Sequence, residues 1–186
     1  MFDKILNEPD LFGIVCGSCS ENGAAVQFDE PLKLNDGELD DAKVLILKPD
    51  AFYSTKRLHN PPPSPDCLIL VNCLANADYR LYLVELKDVS DTKQLKHSII
   101  TEKFKTMTGQ FFVDFAAIFS SVNYGLIKFY LVTTYPKGGA FLSEEDYRKK
   151  IKNCHLDTYA SAKPLQLFGK AILIQPTYSP LTISGC

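Results

Sequence analysis

Two short apolar segments separated by a polar turn constrain the fold of this chain more than any other feature. The first, residues 67–73, is too short for a helix and has the aliphatic, partly β-branched composition of a buried strand. The second, residues 79–87, also has the pattern of a strand. Because residues 74–78 are turn-like, we predict that the two strands form a β-hairpin.

The position of the turn predicts which residues of this hairpin face each other. A turn centred between Ala75 and Asn76 pairs Asp66 with Glu85. Facing residues lie on the same side of a sheet, with Cβ atoms about 5 Å apart. Lys87 is two positions beyond Glu85 and therefore shares that side. The hairpin is expected to bring two carboxylates and one ammonium group together, whereas a shift of one residue would separate them.

Such a group of side chains has a clear chemical use. Two neighbouring carboxylates offer the hard oxygen ligands that suit Mg²⁺. A bound metal ion can hold a phosphate oxygen and a water molecule, lower the pKa of that water and stabilise charge on phosphorus. Lys87 could orient or deprotonate the attacking water, or neutralise the developing negative charge. Asp66, Glu85 and Lys87 are therefore the candidate catalytic residues.

The same residues resemble a known signature. Pro65-Asp66, followed by Glu85-Leu86-Lys87 at the end of the next strand, resembles the PD-(D/E)xK motif of a superfamily that includes restriction endonucleases, Holliday-junction resolvases and repair nucleases. The resemblance implies that Asp66 and Glu85 bind the metal, helped by the backbone carbonyl of Leu86, and that Lys87 assists the water. It also implies an α/β fold of the restriction-endonuclease-like type, a mixed β-sheet flanked by helices.

The function implied by this resemblance is a Mg²⁺-dependent endodeoxyribonuclease that hydrolyses phosphodiester bonds in DNA, with Mn²⁺ as a substitute metal. By analogy with the family, cutting both strands of a duplex suggests a homodimer. The alternative is a catalytically inactive module that keeps the nuclease fold and binds nucleic acid or a protein partner, since a fold does not guarantee a chemistry. Metal binding separates the two hypotheses.

Two further features of the motif leave alternatives open. A second Pro-Asp pair, Pro49-Asp50, also follows a predicted strand, but another strand separates it from Glu85. Many members of the superfamily carry an additional acidic residue on an N-terminal helix. Glu8 and Glu21 are the candidates for that role, but neither lies on a convincing helical pattern, so the role is not assigned.

The rest of the chain predicts a mixed α/β domain. We interpret residues 1–186 as a single domain with a nuclease-like core over about 43–134. Residues 49–65 are rich in proline and are expected to form an exposed irregular loop. The remaining predicted strands are residues 24–34, 43–48, 126–134 and 167–175.

Two helices are predicted after the hairpin. Ser90 or Asp91 can cap a long helix, which Gly109 could bend. Ser143 and Asp146 form a capping pair for a helix over 144–153. The long helix carries an apolar stripe of Leu95, Ile99, Phe104, Met107, Phe111, Phe115 and Ile118.

Charge gives no general indication of a polyanionic partner, because 20 Lys and Arg residues are balanced by 22 Asp and Glu residues. DNA binding would need a local basic patch. One candidate patch could contact phosphates or could simply be a solvated helix face; it comprises Lys93, Lys96, His97, Lys103 and Lys105. A second candidate, in the proline-rich loop, comprises Lys56, Arg57 and His59.

The apolar segments and the cysteines indicate in which cellular compartment the protein is expected. The N-terminal residues lack the apolar run of a signal peptide, and no segment approaches the roughly 20 apolar residues of a membrane span. We therefore expect a soluble cytoplasmic protein without membrane contact. In a reducing compartment, Cys67 and Cys73 are expected to act as small core residues. A zinc site at Cys16 and Cys19 is not favoured, because no second ligand pair is suitably spaced. A redox role is not favoured either, because the sequence does not indicate a helix N-terminus behind Cys16.

Overall fold

The computed structural model describes residues 1–56, 59–139, 141, 143–159 and 161–186. The strands are β1 (Val15–Cys16), β2 (Ser20–Glu21), β3 (Ala24–Phe28), β4 (Val44–Leu47), β5 (Cys67–Cys73), β6 (Asp78–Lys87), β7 (Tyr124–Thr133), β8 (Leu165–Leu167), β9 (Lys170–Ile172), β10 (Ile174–Tyr178) and β11 (Leu181–Ile183). The α-helices are α1 (Phe2–Leu6), α2 (Pro9–Phe12), α3 (Pro49–Thr55), α4 (His97–Thr106), α5 (Phe112–Asp114), α6 (Ala116–Phe119) and α7 (Glu144–Ile151). Short 3₁₀ helices span Glu30–Leu32, Leu74–Asn76, Thr92–Gln94 and His155–Tyr159, and a π-helical turn spans Met107–Phe111.

A six-stranded mixed sheet in the order β1-β4-β5-β6-β7-β10 forms the centre of the molecule. Strands β4, β5 and β6 form an antiparallel meander. Strand β7 is parallel to β6, and β10 is parallel to β7. Parallel neighbours need a crossover connection, and α4 to α6 supply it between β6 and β7. The predicted mixed α/β architecture is therefore confirmed.

The hairpin of β5 and β6 has the predicted register. Cys67 pairs with Val84 and Cys73 pairs with Asp78, so the next position along places Asp66 opposite Glu85. The connecting 3₁₀ turn ends at Ala77, which adopts a left-handed conformation with φ of 52°. Both strands are buried on both faces: Leu68 and Leu83 point into one core cluster, and Cys67 and Val84 point into the other.

Each face of the central sheet is covered by a different layer. One face packs against the α-helices, and each of α1 to α7 contributes buried side chains to that cluster. The other face packs against a three-stranded sheet in the order β11-β3-β2. Helices therefore cover one face rather than flanking the sheet on both sides. Strand β11 is parallel to β3, which brings residues near the two chain ends together.

The predicted long helix is interrupted. Asp91 caps only the short 3₁₀ turn, through a hydrogen bond from the Lys93 N–H. Gly109 lies inside the π-helical turn, where the widened spacing shifts the phase of the apolar stripe. Ile99 was predicted to be buried but is 50% exposed, whereas Ile100 is 2% exposed. Both isoleucines precede the π-helical turn, and Ile100 lies four residues before Phe104 on the regular helix α4, so the error at Ile99 came from a five-residue step in the predicted stripe.

Other boundaries differ from the sequence prediction for local reasons. Residues 49–65 are not irregular throughout, because Pro49 occupies the first turn of helix α3, where proline is tolerated. The predicted strand at 167–175 is divided by a turn in which Phe168 has a positive φ. The predicted strand at 24–34 ends at Phe28. The helix predicted at 144–153 is confirmed over Glu144–Ile151, with its Ser143 cap.

The expectation that Cys67 and Cys73 are free core residues is wrong. Cys67 is bonded to Cys19, and Cys73 is bonded to Cys186. These pairs are far apart in sequence and meet only because the three-stranded sheet packs on the central one. Disulfides are typical of oxidising compartments, so they weigh against the cytoplasmic location, which stays a prediction. In the described ranges, none of the helices combines the length and apolarity needed to cross a bilayer.

Candidate functional site

Asp66, Glu85 and Lys87 lie together at one end of the β5–β6 pair. Asp66 directly precedes β5, while Glu85 and Lys87 are near the end of β6. Their side chains share the face of the sheet that is covered by helices, as the burial of Leu68 and Leu83 in the helical cluster indicates. The sequence-predicted residues therefore do converge in space.

The carboxylate of Asp66 is held by the neighbouring strand. The backbone N–H of Leu86 donates a hydrogen bond of 2.6 Å to Asp66 Oδ2. The side chain of Asp66 is 17% exposed, so it remains within reach of solvent. Leu86, the predicted carbonyl ligand, is itself buried. Asp66 thus has one oxygen fixed by the backbone and a second oxygen turned towards the other charged groups.

Glu85 is completely buried and lies between two lysines. Lys87 Nζ is 2.7 Å from Glu85 Oε1. Lys103 Nζ, from helix α4, is 2.7 Å from Oε1 and donates a hydrogen bond of 2.9 Å to Oε2. Oε1 accepts no well-directed hydrogen bond, so the two contacts to it are ionic. Because an unpaired buried carboxylate is costly, these two cations account for the burial of Glu85.

The electrostatics of the site reflect this arrangement. Burial, followed by the charge of Asp66, raises the pKa of Glu85, although both lysines oppose the shift. Burial acts against the charged form of Lys87, but Glu85, Asp66 and Glu21 outweigh it, so the pKa of Lys87 is raised. A lysine with a raised pKa is protonated near neutral pH. It is therefore better suited to neutralise developing negative charge than to act as a base.

A third acidic residue approaches the site from the opposite layer. Glu21 lies on strand β2, and burial followed by the charge of Asp66 raises its pKa. Glu8, the other candidate for an N-terminal acidic residue, is the N-cap of helix α2 and does not join the site. Glu21 thus lies at the site although it is on a strand rather than a helix.

A small polar cavity of about 140 Å³ opens beside these groups. Its lining comprises Ser20, Glu21, Lys48, Asp50, Asp66, Cys67 and Leu86. Asp50, the rival to Asp66, is at the first turn of helix α3 and accepts a hydrogen bond from the Ala51 N–H. It shares the cavity with Asp66, but Glu85 is not part of the lining. The geometry therefore pairs Glu85 with Asp66 rather than with Asp50.

The aromatic ring of Tyr159 covers the helical side of the site. Tyr159 is fully buried, and its ring centroid is 4.6 Å from that of His97 on helix α4. Burial and then the charge of Glu85 raise the pKa of Tyr159. The hydroxyl of Tyr159 and Nε2 of His97 are buried without hydrogen-bond partners among the described residues. These groups help to exclude water from Glu85.

The donor chemistry of the site suits Mg²⁺, although its arrangement is not a complete metal cage. Across the described ranges, no three His, Cys, Asp or Glu side chains converge in a way that could hold a metal ion. Mg²⁺ often uses only one or two carboxylates together with water and substrate phosphates. Asp66 and Glu85 supply that number of carboxylates, but Oε1 of Glu85 already contacts the ammonium groups of Lys87 and Lys103. The ammonium group of Lys103 contacts both oxygens of Glu85.

Sequence reasoning missed the role of Lys103, which it assigned to a possible phosphate-binding patch or solvated face. The signal was present, because Ile100, Lys103, Phe104 and Met107 share a helical face at spacings of three and four residues. The other lysines of the predicted patch, Lys93, Lys96 and Lys105, are exposed. Lys56 pairs with Asp10, and Arg57 lies outside the described residues.

Comparisons of this chain with family models, with curated proteins and with solved structures found no match.

Proposed function

We propose that this chain is a Mg²⁺-dependent endodeoxyribonuclease of the PD-(D/E)xK type. The observation that carries the proposal is the pairing of Asp66 with Glu85 in register, with Lys87 on the same face of the sheet. The raised pKa of Glu85, a buried carboxyl group beside a second acid, supports a functional site, because perturbed titratable groups cluster at active sites.

The strand order supports the assignment of a restriction-endonuclease-like fold. An antiparallel meander carries the acidic residues, a helical crossover follows, and the next strand returns parallel to β6. The three-stranded sheet on the second face departs from the expectation of helices on both sides. That departure concerns the outer layer and leaves the meander and the crossover unchanged.

Each residue of the site has a distinct proposed role. Asp66 and Glu85 would hold the metal, with the Leu86 carbonyl as a further oxygen ligand. The bound metal supplies an activated water and neutralises charge on the phosphate. Lys87, whose raised pKa favours the ammonium form, stabilises the negative charge that develops on the phosphate oxygens. Glu21 would reinforce the negative potential beside Asp66.

A second candidate function is a non-catalytic module that retains this fold and binds nucleic acid or a protein. The specific observation in its favour is the state of Glu85, which is fully buried and neutralised by two lysines. A permanently closed ion cluster of this kind could serve stability alone. The other helix lysines, Lys93, Lys96 and Lys105, are exposed, so they could contact phosphates in either function and do not decide between the two.

Cleavage of plasmid DNA and of single-stranded DNA with Mg²⁺ or Mn²⁺ tests the proposal. We expect the wild-type chain to cut in a metal-dependent manner and the Glu85→Gln variant to be inactive. Glu102→Gln is the matched control, because Glu102 is an exposed acid on helix α4 that pairs only with Lys105 among the described residues. Absence of cleavage by the folded wild-type chain with either metal would favour the non-catalytic module.

A further inference from the structure

Lys103 reaches the centre of the site from a different layer of the molecule. Its ammonium group contacts both oxygens of Glu85, at 2.7 and 2.9 Å, and is 4.0 Å from Asp66 Oδ1. Asp66 Oδ2 is already bonded to the Leu86 N–H. The oxygens that remain for a cation between the two acids are therefore those nearest to Lys103.

The central group is close to electrical balance without any metal. The carboxylates of Asp66 and Glu85 are matched by the ammonium groups of Lys87 and Lys103, and Glu21 adds a third acidic group beside Asp66. Adding a divalent cation would leave the group with excess positive charge even when Glu21 is ionised, and like charges repel strongly where little water is present. Removing the Lys103 ammonium from the group lowers that excess by one charge.

Steric arguments also indicate that the Lys103 ammonium group obstructs metal binding at Glu85. Mg²⁺ binds oxygen at about 2.0–2.1 Å and requires nearly ideal geometry. An ammonium group in contact with both oxygens of Glu85 leaves no bidentate approach to that carboxylate. Lys87 is less of an obstacle, because it contacts Oε1 alone and leaves Oε2 accessible once Lys103 has moved.

The geometry points to Lys103 as a built-in cation that occupies the position between Asp66 and Glu85, so that a divalent metal binds by displacing its ammonium group. This inference rests on the proposed metal-dependent function. The side chain of Lys103 is 19% exposed, which gives it a route towards solvent without movement of helix α4. Lys103 thereby sets the metal concentration at which the site fills, and acts as a positioning residue for Glu85 until then.

Titration calorimetry with Mn²⁺ on the full chain tests the displacement directly. We expect Lys103→Met, which keeps the length and removes the charge, to bind Mn²⁺ about tenfold more tightly or better, because the competing cation is gone. Lys105→Met is the matched control, since it removes the same charge from an exposed position on the same helix. Equal or weaker Mn²⁺ binding by a folded Lys103→Met variant would overturn the inference.

A second measurement uses the wild-type chain and does not depend on the folding of a variant. Acetylation of lysines, read by mass spectrometry, should be slow at Lys103 without metal and faster when Mn²⁺ is added. Labelling of Lys105 should not change. A labelling rate at Lys103 that Mn²⁺ leaves unchanged or lowers would contradict displacement.

Failure of the inference and failure of the proposed nuclease give different results. Metal-dependent DNA cleavage together with unimproved Mn²⁺ binding by Lys103→Met would overturn only the role of Lys103. Tighter Mn²⁺ binding by the variant without DNA cleavage by either protein would support the role of Lys103 and reject the nuclease. Absence of both Mn²⁺ binding and cleavage would reject both.

Discussion

Leu86 donates its backbone N–H to Asp66 Oδ2 at 2.6 Å, across the pair of strands that carries the site. The bond orients the carboxylate through the backbone, so that the geometry of Asp66 does not depend on the identity of the Leu86 side chain. It also directs Oδ1 towards Lys103, which is 4.0 Å away. The acid that precedes β5 is thereby fixed relative to the acid near the end of β6.

Replacing Asp66 should abolish cleavage while leaving the fold intact. In Asp66→Asn the amide oxygen can still accept the Leu86 hydrogen bond, but the variant lacks the charge that a metal requires. We expect a loss in kcat/KM on the order of a hundredfold or more, together with weaker Mg²⁺ binding. Asp50→Asn, which alters an acid lining the same cavity, is the control and should remain active. The reverse pattern, with Asp50→Asn inactive and Asp66→Asn active, would make Asp50 the metal ligand.

Removing the ammonium group of Lys87 should affect the rate more than metal binding. Lys87 contacts Glu85 Oε1 and is 31% exposed, so it can face a bound phosphate. We expect Lys87→Ala to lower the cleavage rate on the order of a hundredfold, with a smaller change in Mn²⁺ affinity than Lys103→Met causes, because Lys87 contacts only one oxygen of Glu85. Rate and affinity can be separated by cleavage assays at saturating metal and by calorimetry. An unchanged cleavage rate would remove Lys87 from the catalytic group.

The phase of helix α4 can be tested with two adjacent isoleucines. Ile100 is 2% exposed and belongs to the helical core cluster, whereas Ile99 is 50% exposed. We expect Ile100→Ala to lower the free energy of unfolding by about 2–4 kcal/mol, and Ile99→Ala by less than about 0.5 kcal/mol. Urea denaturation of both variants provides the comparison. Similar losses in the two variants would contradict the helix phase described above.

The disulfides should make a measurable contribution to stability. A Cys19→Ser/Cys67→Ser double variant should lose about 2–4 kcal/mol of unfolding free energy, because a cross-link across a long loop restricts the unfolded chain. Cys154→Ser is the control, since Cys154 is free. Thiol titration of the unreduced, denatured chain should detect only Cys16 and Cys154. Detection of additional thiols would show that the bonds do not form under those conditions.

The hairpin could be predicted from the sequence because its evidence is local. The turn fixes the register of β5 and β6, and the register alone determines that Asp66 faces Glu85. The same reasoning predicts that Lys87, two positions beyond Glu85 on β6, lies on the same face of the sheet as Glu85. The prediction that Ser143 and Asp146 form a capping pair was correct for a similar reason, since both partners lie within the first turn of helix α7.

Features that depend on contacts between distant segments could not be predicted in this way. Glu21 reaches Asp66 only because the three-stranded sheet packs on the central sheet. The partner of Cys73 is Cys186, which no local pattern indicates. Lys103, by contrast, was assigned to the outer side of its helix because the apolar stripe was drawn through Ile99 instead of Ile100, which lies four residues before Phe104.

The parallel pairing of β3 with β11 has a consequence for how the molecule is made. Residues Ala24–Phe28 are translated more than a hundred residues before their partner strand, Leu181–Ile183. The layer that carries Glu21 therefore cannot be completed until strand β11 has been made. Folds dominated by such distant pairings form slowly, and the unpaired edge of β3 remains exposed to association with other chains in the meantime.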